Sequence, residues 1–139
     1  MLHTYFKSPH ISLYYDSELR LGKAVWKGNV KGAELREAVL LCLYLIDRYS
    51  LKRWLADDRK MKGMDPADVQ WLEEVFLPGI LAGSVARIAR LPSEYVEHTQ
   101  AIELMKEKKG DSDARLLIHD FECEEEAMRW LLEDAPNIR

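Results

Sequence analysis

The chain has 139 residues, one domain's length by the usual size relation. Apolar residues make up 47% and charged residues 32%, a globular balance that argues against disorder. Twenty basic residues against twenty-four acidic ones leave a formal net charge of -4, which disfavours wholesale binding to nucleic acid or an anionic membrane.

Residues 1–10 read as a loosely held arm. Ile11–Asp16 alternates apolar and polar and reads as a strand, and Leu19–Trp26 as a second. The short Asp16-Ser17-Glu18 joint predicts an antiparallel hairpin, ended by Gly28 and Asn29. Leu35, Ala38, Val39, Cys42, Ile46 and Tyr49 recur at three- and four-residue steps, the stripe of a helix. Leu51–Asp57, with Trp54-Leu55-Ala56 at its centre, predicts a strand covered on both faces. A charged loop is expected over Asp58–Gly63. Asp65 then suits a helix cap and Pro66 its first turn. Val69, Leu72 and Phe76 form the buried stripe of that second helix, and Pro78-Gly79 should stop it. Ser84–Leu91 alternates as a strand in which Arg87 and Arg90, three apart, face opposite sides. Pro92-Ser93-Glu94 opens a third helix through Val96, Ile102 and Met105, closing near Lys106, Lys108 and Lys109. A turn over Gly110–Asp113, a strand over Ala114–Phe121 and a helix over Glu122–Asp134 complete the chain. The order β-β-α-β-α-β-α-β-α requires crossover connections, so the later strands should be parallel and right-handedly connected. The expected fold is α/β: a mixed sheet, an opening antiparallel hairpin followed by parallel β-α units, packed with about four helices.

Trp26-Lys27-Gly28 stands before the first helix, and the strand after it ends Leu55-Ala56-Asp57-Asp58. Next comes Asp65-Pro66-Ala67-Asp68-Val69-Gln70-Trp71-Leu72, and Phe121–Leu131 follows near the end of the chain. In this order, over residues 11–134, the chain resembles the SpoIIAA-like group of the STAS superfamily, which includes anti-sigma-factor antagonists and cytoplasmic domains of sulfate transporters. The resemblance implies a mixed sheet backed by helices, with Phe121–Leu131 matching the stretch that forms the closing helix in such proteins, and regulation or binding rather than catalysis. Anti-sigma-factor antagonists carry a phosphorylatable serine at the start of the helix after the third strand. Residues 57–65 contain no Ser or Thr, so no phosphosite carries over.

Candidate chemistry is sparse. Gly22, Gly28 and Gly32 match neither dinucleotide nor P-loop spacing, so no cofactor is expected. His3, His10, His98 and His119 have no metal-like spacing to another histidine or to Cys42 or Cys123. The two cysteines do not make a disulfide framework, which fits a reducing cytoplasm. The longest apolar run, Val39–Ile46, is far short of the ~20 residues of a membrane span, and Met1–Lys7 lacks the apolar run of a signal peptide. Asp57 and Asp58 fall at the carboxyl end of a strand, where open α/β sheets bind ligands, and adjacent carboxylates could hold Mg²⁺. Alternatively, Asp57 caps the loop and Asp58 pairs with Arg59 or Lys60. Met61 and Met64 flank the charged loop as an adaptable groove or as core filling. Leu40 and Tyr44 lie opposite the buried stripe of the first helix, beside Glu37 and Asp47. They would meet a protein partner, a second copy, or the arm with its Tyr5 and Phe6. The basic segment Lys52–Lys62 and the acidic segment Asp120–Glu126 could be complementary surfaces or solvated faces.

Three functions are weighed. The first is a cytoplasmic, non-enzymatic regulatory or protein-interaction domain that meets a protein partner or forms a homodimer. The second is a small-molecule or lipid-binding carrier or sensor, with its pocket near Asp57–Met64 and the end of the 84–91 strand. The third, an enzyme, would need a deep pocket joining Asp57, Asp58 and His119.

Overall fold

The computed structural model describes residues 1–95, 102, 103, 107 and 116–133. Six strands form one sheet in simple sequence order: β1 (His3–Lys7), β2 (Ile11–Asp16), β3 (Leu21–Gly28), β4 (Arg53–Met61), β5 (Arg87–Leu91) and β6 (Leu117–Asp120). β1, β2 and β3 are antiparallel neighbours, and β3 to β6 run parallel. The expected mixed sheet is therefore present, with β4 in its interior between β3 and β5.

The arm is a correction: residues 3–7 pair with β2 as an edge strand. Its exposed, weakly alternating side chains gave little sign of this, because an edge strand is held by ladder hydrogen bonds more than by burial. The β2–β3 turn is built by Asp16, whose Oδ1 accepts the N–H groups of Glu18 (3.0 Å) and Leu19 (3.1 Å). Gly22 is dictated by packing, since a Cβ there would lie 2.4 Å from the Trp54 ring.

The first helix, α1 (Gly32–Tyr49), buries Leu35, Ala38, Val39, Cys42, Leu45 and Ile46. A second helical run comprises α2 (Pro66–Trp71), a π-helical turn (Leu72–Phe76) and α3 (Leu77–Ala82). Pro78-Gly79 does not stop it. The π turn carries the Leu77 N–H back to Leu72 O, five residues away, so the ladder has already shifted register where Pro78 lacks a donor. Gly79 lets this run approach α1, for a Cβ there would sit 3.1 Å from Leu43. Asp68, buried on α2, accepts the Gly32 N–H at 3.0 Å and faces Arg36 at 3.5 Å. One helical run thereby caps the start of the other.

The last helix, α4 (Glu124–Leu131), lies over the opposite face of the sheet, beside β4 and β5. Its acidic first turn meets Lys23 at 2.9 Å through Glu124. Its last carbonyls are gripped by neighbouring strands: Arg53 Nε donates to Leu131 O (2.9 Å) and Arg87 Nη1 to Trp130 O (2.6 Å). Cations at that end and carboxylates at the other both suit the helix dipole. Three helical runs, rather than about four helices, are thus delimited among the described residues. The helix expected from Pro92 through Met105 to Lys109, and the turn at Gly110–Asp113, fall mostly outside them.

Two apolar clusters result. The larger lies between the sheet and α1 with the 66–82 run. The smaller unites Leu21, Leu55, Ala89 and Leu91 with Ala127 and Leu131 of α4.

Candidate functional site

Strand alternation decides where the polar residues go. Trp54, Ala56 and Asp58 of β4 line the larger cluster's side, whereas Asp57 pairs with Arg59 on the α4 side. Asp57 and Asp58 are therefore not one site, and a shared Mg²⁺ between their carboxylates is overturned by the geometry. β4 also continues through Met61 instead of yielding to a charged loop at Asp58. The β3–β4 register passes from Val25 opposite Asp57 to Lys27 opposite Lys60, so β4 carries one extra residue there. That bulge brings Met61 onto the same side as Asp58 despite their odd spacing.

Asp57 Oδ1 accepts Arg59 Nε (2.9 Å) and Oδ2 accepts Arg59 Nη2 (2.8 Å). Burial alone would raise its pKa, but the Arg59 guanidinium and N–H outweigh this and hold it below its ordinary value. Asp57 and Arg59 border an open polar groove with Lys7, Lys27 and Lys60. Arg59 also stands 3.9 Å from Glu124, so the basic and acidic segments partly neutralise each other within the chain.

On the other side lies a cavity of about 140 Å³. α1 supplies Leu35, Val39 and Cys42, and the 66–82 run supplies Leu72, Phe76, Leu77 and Ile80. Trp26, Trp54, Ile88 and Ile118 form its floor, and Met61 and Met64 lie at its edge. Among the described residues that line it, two charged side chains enter this apolar surround: Asp58 (6% exposed) and Arg90 (4%). Arg90 Nη1 donates to Asp120 at 3.0 and 3.3 Å. Its Nε lies 3.8 Å from Asp58 Oδ2, an ion pair outside hydrogen-bond reach. Nε and Nη2 are buried and have no hydrogen-bond acceptor. Burial pushes the Asp58 carboxyl up to about 6; Arg90 opposes the rise, and Asp57 and Asp120 add to it. Burial, with Asp58 nearby, also raises the Cys42 thiol, so it remains protonated.

Of the sequence candidates, Asp58, Met61 and Met64 meet at this cavity, and Asp57 does not. Arg90, which the strand pattern marks only as facing away from Arg87, is the residue sequence reasoning missed. Its opposite face from Arg87 was the available signal. His119 stacks on Trp130 of α4 (4.5 Å between ring centres), so Asp57, Asp58 and His119 do not converge in one pocket. Leu40 and Tyr44 stay on the outer face of α1, 47% and 71% exposed, and the arm that could have covered them is engaged in β1. Among the described residues no helix is long and apolar enough to cross a membrane. No group of three or more His, Cys, Asp or Glu side chains among them is placed to hold a metal ion.

Comparison with solved structures finds two similar chains. An uncharacterized protein of the DUF3478 family with a SpoIIAA-like fold, from Shewanella loihica PV-4, is 14% identical, with a TM-score of 0.49 over 94% of this chain and 92% of that one. SiaC of Pseudomonas aeruginosa is 8% identical, with a TM-score of 0.50 over 87% of this chain and 99% of that one. No known family description and no curated protein matches. At these identities the likeness to SiaC is one of fold alone.

Proposed function

We propose that this chain is a non-enzymatic regulatory or protein-interaction domain that docks through the outer face of α1. The observation supporting this is the exposed ridge of Leu40 and Tyr44, one helical turn apart and opposite the buried stripe. An aromatic and an aliphatic side chain side by side are the kind of anchor that interfaces bury. A second copy, meeting ridge to ridge about a two-fold axis, would cover both. Size-exclusion chromatography with light scattering on the wild type and Leu40→Asp tests this. A dimer that becomes a folded monomer in the variant supports self-docking, and a monomer in both removes it.

A second reading, a small-molecule carrier or sensor, is favoured by a different feature: the apolar cavity with two buried charged groups. Its volume is that of a benzene-sized molecule rather than a long acyl chain. Native mass spectrometry of protein purified from cells tests this reading. A copurified small molecule supports it, and bare protein counts against it.

A further inference from the structure

The carrier or sensor reading is the premise here, and the cavity's own chemistry narrows the ligand. A guanidinium presents flat, forked edges, each shaped to receive two oxygens of one carboxylate. Asp120 takes Nη1 of Arg90. The Nε/Nη2 edge is left buried, without a hydrogen bond, and next to a chamber whose other described lining residues, Asp58 apart, are apolar. Buried donors without acceptors are costly, and in native proteins they are rare outside functional sites. The chamber, about 140 Å³ with Trp26, Trp54 and Phe76 among its walls, has the size and character of cavities that admit a single benzene-sized body. We infer that the cavity binds a small aromatic or short branched monocarboxylate, its apolar body between Trp26 and Phe76 and its carboxylate seated on the Nε/Nη2 edge of Arg90.

Asp58 is the internal competitor for that edge, 3.8 Å from Nε. Its titration therefore couples to binding. Among the described residues, the charged or titratable groups that act on it are Arg90 on β5, Asp120 on β6, Cys42 on α1, and Asp57, its neighbour on β4, from the other face. The residues the 66–82 run brings to the cavity, Leu72, Phe76, Leu77 and Ile80, carry no charge. With its carboxyl pushed up to about 6, Asp58 takes up a proton on mild acidification and ceases to oppose an anion.

The test is titration of the full chain with benzoate and, in parallel, benzyl alcohol, followed by intrinsic tryptophan fluorescence, to which Trp26 and Trp54 at the cavity contribute. Benzoate should bind, and bind more tightly at about pH 5.5 than at about pH 7.5, where it is ionised throughout. Arg90→Lys keeps the charge but loses the fork, and should weaken benzoate roughly tenfold or more while leaving benzyl alcohol within about twofold. Ala56→Leu, which fills the chamber and spares Arg90, should abolish both and covers the case in which the Arg90 variant does not fold. Benzyl alcohol binding as tightly as benzoate would overturn the carboxylate site while leaving an apolar-ligand reading intact. Binding of neither probe would overturn both.

Discussion

Asp58→Asn is the sharpest probe of the buried pair, because two effects of similar size compete in it. A carboxyl whose folded pKa is about 6 against an ordinary 3.8 binds its proton more tightly in the fold than in the unfolded chain. The stability this contributes is complete below the unfolded value and is lost as pH rises through about 6. At neutral pH the ionised Asp58 therefore costs about 3 kcal/mol relative to its neutral form. Asparagine fixes the neutral shape. Against this, removing one partner of a buried ion pair commonly costs about 3–5 kcal/mol, through the charge left behind. Here Arg90 is not left alone: it keeps Asp120 at 3.0 Å, while Asp58 lies 3.8 Å from Nε. The desolvation gain should win. Asp58→Asn should be about 1–3 kcal/mol more stable than the wild type at pH 7.5, equivalent to roughly 5–10 °C in Tm for a chain of this size. The two proteins should converge near pH 4. Urea unfolding followed by tryptophan fluorescence at several pH values measures the difference, in which the opposite trends of Asp16 and Asp57, both held below their ordinary values, cancel. A variant less stable at pH 7.5, or a difference independent of pH, would refute the reasoning.

Gly22→Ala should destabilise by about 2–4 kcal/mol, because the new Cβ meets the Trp54 ring at 2.4 Å and Leu51 at 2.8 Å inside a packed core; a denaturant midpoint within error of the wild type would contradict this. Asp68→Ala should cost about 1–3 kcal/mol by stripping Gly32 of its cap and Arg36 of its counter-charge, whereas Asp68→Asn, which keeps an acceptor oxygen, should cost less.

The strands β2 to β6 and the α1 stripe were legible because both depend on local periodicity. Leu35, Val39 and Cys42 repeat at helical steps whatever they pack against, and short connections leave few topologies open. Three features escaped that reading. β1 is held by the β2 ladder rather than by its side chains. The helical run crosses Pro78 because of a register shift that begins at Leu72, for which no residue type is a signal. Asp57 and Asp58 look like a pair in one dimension, but consecutive strand residues point to opposite faces, so adjacency itself argued for separation. The same alternation placed Arg87 and Arg90 correctly on opposite sides. What it could not say is that Arg90 would be the one beneath the larger helical layer.

The two faces of the sheet differ because their helical covers differ. α4, with 8 residues, spans about 12 Å. It is clamped at one end by Lys23 and at the other by Arg53 and Arg87, so its cluster closes tightly around Leu55, Ala89 and Leu131, none of them measurably exposed. The opposite face is spanned by α1 and the 66–82 run together, tied to each other at the start of α1 by the Asp68 cap and in close contact again at Gly79. Between those two fixed points, over the floor of β3 to β6, lies the cavity. The β4 bulge then determines what enters it. Strict alternation beyond Asp58 would turn Lys60 inward and Met61 outward. The extra residue reverses this, so that Lys60 is exposed and Met61 buried. An inward lysine would have supplied a second cation to the Asp58 carboxylate and a hydrated ammonium to an apolar chamber. The bulge instead keeps the chamber apolar and leaves Arg90 as the cation within it among the described residues that line it, which is the arrangement a ligand with one anionic end requires.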